Sequence, residues 1–168
     1  MCDPEEWGEV DNRDVNTPDN WVKRHPALVR LTGRHPFNCE PPLPDLMRHG
    51  HHTPASLHYV RNHGAVPIKY TAETAKDVRD AWRVAVHGTG VQAKTLSMDE
   101  LAALPFREAV VLLVCAGNRR KEQNMVKRTI GFNWGAAGLG MSTWGGCYMA
   151  EIGRASCRGK SVDIGGRR

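Results

Sequence analysis

The residues best suited to chemistry stand together at positions 110–120, Val-Val-Leu-Leu-Val-Cys-Ala-Gly-Asn-Arg-Arg. An apolar, β-branched run reaches Val114 and stops at a single thiol, Cys115. Ala116 and Gly117 leave room for a turn, and Asn118, Arg119 and Arg120 bring hydrogen-bond donors and two permanent charges. A sulfur delivered to the open end of a buried strand, beside paired guanidinium groups that favour the thiolate, can hold a soft metal next to an anion site. The same pattern describes a buried, inert thiol, the commoner fate of a cysteine that ends an apolar strand. A second polar group, Arg61-Asn62-His63 before Gly64, reads by itself as an ordinary turn. His49, His51 and His52, with His35 and Cys39 nearby, match no usual zinc spacing and are read as loop histidines with no metal assigned.

Those groups need elements to position them. Leu57, Tyr59 and Val60 suggest a short strand that Asn62-His63-Gly64 closes. The alternation of Trp82, Val84 and Val86 against Arg83, Ala85 and His87 predicts a half-exposed strand ending at Gly88. Ser97-Met-Asp-Glu100 is a capping box, opening a helix through Leu104 that Pro105 closes. Ala109 to Val114 forms the central, buried strand. Residues 119–128 are polar helix formers with Met125 and Val126 to dock one side. Gly131 to Gly146 reads as a glycine-rich loop whose Trp134 and Trp144 pack or line a cavity. Upstream, 20–54 is Pro-, His- and Arg-rich and wraps the surface, and Pro41-Pro42-Leu-Pro44 favours extended backbone. Lys69 to Asp80 is a mildly helical surface connection. The fold class is α+β, with mixed short strands and few helices.

Cys115-Ala-Gly-Asn-Arg-Arg-Lys-Glu-Gln-Asn-Met-Val-Lys and Gly131-Phe-Asn-Trp-Gly-Ala-Ala-Gly closely resemble the molybdopterin domain of eukaryotic assimilatory nitrate reductases, in the sulfite oxidase family. Leu28-Val-Arg-Leu-Thr-Gly-Arg-His-Pro-Phe-Asn and Glu40-Pro-Pro-Leu-Pro resemble its entry segment. The resemblance implies a sulfite-oxidase-type fold and a molybdenum–molybdopterin cofactor ligated by Cys115. It implies that Tyr59, Val60, Arg61, Asn62 and His63 line the pterin, that Arg61 and Arg120 reach the substrate pocket, and that Trp134 walls it. Planar guanidinium forks suit a trigonal oxyanion better than a point charge does. The implied reaction is nitrate to nitrite, by oxygen-atom transfer at a metal cofactor that no side chain can replace. The implied partners are an electron-donating haem domain, with haem and FAD carried on domains absent from this chain, and a second copy in a homodimer. A sulfite oxidase-type enzyme is the competing reading within the family, and Lys121-Glu-Gln-Asn-Met-Val-Lys favours nitrate.

The resemblance covers roughly residues 10–146. The expected division is an acidic, disordered arm over 1–20, a partial molybdopterin-binding domain over 21–146, and a disordered non-family tail over 147–168, where neither strand nor helix periodicity is visible. That break reads as truncation, mis-splicing or read-through, which would leave an inactive fragment.

The 168 residues suffice for one domain with a modest core. No apolar run approaches the roughly 18 residues that span a bilayer, and the acidic N-terminus is not a secretory signal. Five cysteines, at 2, 39, 115, 147 and 157, are odd in number and contain no C-x-x-C pair. They argue against a disulfide framework or a cysteine zinc finger and fit a reducing cytoplasm. The net charge of +5 is uneven: residues 1–114 hold 13 Lys/Arg and 15 Asp/Glu, residues 115–168 hold 10 and 3. The basic half attracts anions of several kinds. A different class of reading therefore takes Arg119 to Arg128 with Trp134 and Trp144 as a nucleic-acid surface. No recognised nucleic-acid motif supports it, and the small-oxyanion reading is preferred.

Overall fold

Phe37 and Cys39 anchor the first of two units into which the chain divides in the computed structural model, which describes residues 8–68, 70–89 and 92–156. In chain order the elements are β1 (Val29–Arg30), β2 (Cys39–Glu40), α1 (Leu43–Arg48), a 3₁₀ turn (Ala55–Leu57), α2 (Ala75–Ala81), β3 (Arg83–Val86), β4 (Lys94–Ser97), α3 (Met98–Ala102), β5 (Arg107–Val114), α4 (Arg120–Val126), β6 (Leu139–Gly146) and α5 (Met149–Ser156). Among the described residues the strands form three two-stranded pairs, β1–β2, β3–β4 and β5–β6. The mixed architecture of short strands and short helices agrees with the expected class.

The first unit comprises Met1–Pro67 and Val110–Thr143. Leu28, Phe37 and Cys39 are buried together, with Val22 and Val60 packed against them. The guanidinium carbons of Arg24 and Arg30 lie 5.4 and 5.0 Å from the Phe37 ring centre, and these cations pair with Asp11 and Asp14. Such desolvated cations over an aromatic face are worth more than exposed ones. Residues 8–20, whose composition suggests a mobile arm, are therefore held down. Asp14 and Asp19 are buried, and Asp19 accepts the Phe37 N–H at 3.1 Å and the Val66 N–H at 3.0 Å. Acidic residues were legible in the sequence; their backbone donors, up to 47 residues away, were not.

Four further expectations for this unit change. The strand expected at Leu57–Val60 is a 3₁₀ turn followed by a single bridge, Cys39 to Val60. Pro42 caps α1 and Pro44 enters its first turn, where a missing N–H costs nothing, so the proline run starts a helix. The glycine-rich stretch after Gly131 becomes strand β6 from Leu139. Finally β5, expected to be buried, is exposed along its whole length. Its β-branched composition suffices for a strand, but among the described residues it pairs only with β6. Residues 107–109 of β5 and 144–146 of β6 belong to the second unit.

The second unit comprises Ile68–Ala109 and Trp144–Arg168. β3 and β4 pair antiparallel with Val84 opposite Leu96, and Leu96 is buried. Val84 and Val86 are the more buried side of β3 and Arg83 and Ala85 the exposed side, as the alternation predicts, whereas Trp82, expected on the same side as the valines, precedes the strand and is exposed. β4 was not foreseen. Ser97 caps α3 in a complete capping box: its side chain accepts the Glu100 N–H and the Glu100 carboxylate accepts the Ser97 N–H. The irregular course expected after Cys147 is replaced by α5; residues 157–168 lie outside the described residues. No described helix is long and apolar enough to cross a membrane.

Candidate functional site

Cys115 follows directly on β5 and begins a turn stapled to the glycine-rich segment. Its N–H donates to the Gly138 carbonyl at 2.9 Å, and the Gly138 N–H donates to Asn118 Oδ1 at 3.1 Å. Asn118 closes the turn by donating its own N–H to the Cys115 carbonyl at 2.9 Å. The thiol is free and half-buried, and its sulfur accepts the Gly117 N–H at 3.4 Å. Gly117 has to be glycine here, because a Cβ would stand 2.7 Å from Trp134 Cδ1.

The segment Tyr59 to His63 supplies the facing wall, and extended backbone sorts its side chains. Successive side chains of extended backbone point to opposite sides. Tyr59, Arg61 and His63 line a cavity of about 500 Å³. Val60 and Asn62 turn the other way. Val60 pairs its backbone with Cys39 at 3.0 and 3.1 Å, and Asn62 binds Asn38 Oδ1 at 2.7 Å and the Phe37 carbonyl at 2.9 Å. The cavity is completed by Cys115, Ala116, Gly117, Arg120, Gly131, Phe132 and Trp134. Six of the eight residues singled out from the sequence thus meet in one cavity, and Val60 and Asn62 brace its wall from behind.

The cations are placed unequally. Arg61 lies over the Phe132 ring at 5.1 Å, with Nη2 3.2 Å from His63 Nδ1. Arg120 Nη1 donates to the Ile130 carbonyl at 2.8 Å and to Thr129 Oγ1 at 3.2 Å. Arg120 Nε is buried and has no protein partner. Arg119, by contrast, pairs with Glu122 and does not line the cavity, and Lys127 and Arg128 are exposed. Met125 and Val126, expected to dock α4, are 83% and 93% exposed.

Trp134 is buried, its ring edge-on to Tyr59 at 5.9 Å, so it cannot act as an open stacking platform for a base. Burial, with a smaller contribution from the Cys115 sulfur, pushes the Tyr59 hydroxyl above its ordinary pKa, keeping it a proton donor. Glu40 accepts the Gly135 N–H at 2.7 Å and fixes the backbone beside Trp134.

Two thiols of this unit have opposite fates. Cys39 is fully buried, and burial pushes its pKa up to about 12. Cys115 opens on the cavity with two guanidinium groups. A single soft donor, an orphaned buried N–H and room of this size fit a metal cofactor that brings most of its own ligands. The sequence signal missed Phe132, Gly131, Thr129 and Asn124 as parts of the site. The glycine preceding an aromatic within the 131–134 motif was the available clue.

Residues 63–160, more than half of the chain, match the family described as oxidoreductase molybdopterin binding domain. The match runs past Gly146, where the motif wording changes. The chain is 54% identical over 144 residues to an NADH nitrate reductase of Brassica napus, covering 85% of this chain and 15% of that protein. It is 51% identical over 159 residues to one of Hordeum vulgare, covering 92% and 17%, and 56% identical over 143 residues to one of Nicotiana tabacum, covering 84% and 15%. The chain therefore spans 15% to 17% of the length of these curated relatives.

Proposed function

Since the chain belongs to the oxidoreductase molybdopterin binding domain family, we propose that it forms part of a molybdenum centre that reduces nitrate, the activity for which its relatives are named. The observation that carries this is the opening of the Cys115 thiol, Arg61 and Arg120 into one cavity. In this reading Cys115 supplies the protein's metal bond as a thiolate, held in place by the Gly138 and Asn118 staple. The wall from Tyr59 to His63 receives the pterin, with Val60 and Asn62 fixing its backbone. Arg61 and Arg120 bind nitrate through planar forks, and Trp134 walls off water on one side.

The molybdenum–molybdopterin group, when bound, supplies the two-electron chemistry that removes one oxygen atom from nitrate. Overall, nitrate takes up two electrons and two protons and leaves as nitrite and water. The Tyr59 and His63 side chains line the same cavity as the two arginines. We infer that the complete protein has the sulfite-oxidase-type fold, works as a cytoplasmic homodimer, and receives electrons through haem and flavin domains outside this chain.

Elemental analysis of the purified chain, expressed where molybdopterin is made, tests the proposal. Close to one molybdenum per chain is expected, falling to background in Cys115→Ser. Equal molybdenum in both would overturn it. Salt-sensitive oligonucleotide binding indifferent to Cys115→Ser would favour the nucleic-acid reading instead.

A further inference from the structure

A polar chain runs behind Arg120 in which every hydrogen bond has a defined direction. Arg120 Nη1 donates to Thr129 Oγ1 at 3.2 Å and to the Ile130 carbonyl at 2.8 Å. A hydroxyl has one hydrogen, and Thr129 directs it to Asn124 Oδ1 at 2.9 Å. The same Asn124 oxygen accepts the Thr129 N–H at 2.8 Å, which fixes the orientation of the amide. Its Nδ2 then donates to Asn133 Oδ1 at 2.6 Å. Gly131 closes the device from the side. A Cβ there would lie 3.1 Å from both Cζ and Nε of Arg120, and its φ of +132° is one that side chains avoid.

This arrangement decides which part of the guanidinium remains for a ligand. The Nη1 end is occupied. The opposite edge carries Nε, buried and without a partner, and Nη2, next to Gly117 in the cavity wall. Two parallel N–H groups on one edge form the geometry that takes two oxygens of a planar oxyanion. An arginine free to rotate would present its three edges in turn and would lose side-chain entropy on binding.

The geometry points to Thr129 and Asn124 as positioning residues that lock Arg120 with its Nε–Nη2 edge towards the anion. They act through Arg120, and Asn133 and Gly131 complete the bracket. This rests on the reading of Arg120 as an anion-binding residue, and the test below separates failure of the two.

The full 168-residue chain, labelled with nitrogen-15, is titrated with sodium nitrate and followed by NMR at the arginine Nε–H and by calorimetry. In the wild-type chain the Arg120 Nε–H is expected to exchange slowly with water and to shift on adding nitrate; Arg120→Lys identifies the signal by its loss. Thr129→Val keeps the side-chain shape but removes the hydroxyl. It is expected to speed that exchange and to weaken nitrate binding roughly tenfold, about 1.4 kcal/mol. Thr129→Ser should restore both, and Asn124→Ala should change both in the same direction as Thr129→Val. Circular dichroism checks that each variant is folded. Unchanged exchange and affinity in Thr129→Val and Asn124→Ala would overturn the inference. Absence of nitrate binding by the wild-type chain would count against the proposed function, while the exchange rates would still decide whether the bracket holds Arg120.

Discussion

Cys115 and Cys39 show how little a residue's type says about its chemistry. Both follow or begin strands, yet one faces a cavity between guanidinium groups and the other lies sealed against Phe37. A thiol whose pKa is pushed up to about 12 carries almost no thiolate at neutral pH, so alkylation should discriminate sharply between them. In the folded chain, iodoacetamide followed by mass spectrometry is expected to label Cys115 and to leave Cys39 unmodified until denaturant is added. Glycine at 117 is set by close approach rather than by backbone angle. Gly117→Ala would drive a methyl into Trp134, 2.7 Å away. A loss of about 1–3 kcal/mol is expected, as for other overpacked sites, measurable in a urea titration followed by tryptophan fluorescence.

At the level of elements, α3 and β5 teach opposite lessons. α3 obeys its own sequence, since Ser97 and Glu100 satisfy each other's backbone donors whatever surrounds them. Ser97→Ala should therefore cost about 1 kcal/mol, read as a lowered urea midpoint. β5 obeys its composition in conformation but not in burial. Val110, Leu112 and Val114 are each about half exposed. Leu112→Lys is accordingly expected to leave stability within about 0.5 kcal/mol of wild type, as at other surface positions. A loss of several kcal/mol in the same titration would show that the strand is covered.

The molecule as a whole balances acids that respond to pH in opposite senses. Burial by itself would raise the pKa of Asp19, but the N–H groups of Val66 and Phe37, with His35, outweigh it and hold the carboxyl below its ordinary value. Its stabilisation is present above the unfolded pKa and is lost as pH falls through the lower, folded one. For Glu40 burial wins over the Gly135 and Ala137 N–H groups and Lys121, and the pKa is raised. Its stabilisation is complete below the unfolded value and is lost as pH rises through the folded one. Urea midpoints measured from acid to neutral pH should show both limbs. Asp19→Asn should flatten the acid limb, and Glu40→Gln the limb at higher pH.

Local features, and those spelled out in consecutive residues, are readable from the chain alone. Those are the capping box at Ser97, the alternation in β3, the turn after Cys115, and the motifs around Cys115 and Trp134 that carry the family. Packing settled what depends on residues far apart in the chain. It turned Tyr59, Arg61 and His63 towards Cys115 while Val60 and Asn62 face Cys39 and Asn38, and it tied Arg120 to Thr129. It also left β5 uncovered and pinned Asp14 and Asp19. The physical reason is that backbone conformation follows short-range sterics and hydrogen bonding, whereas burial and the partner of a charge are settled by whichever distant group packs against it.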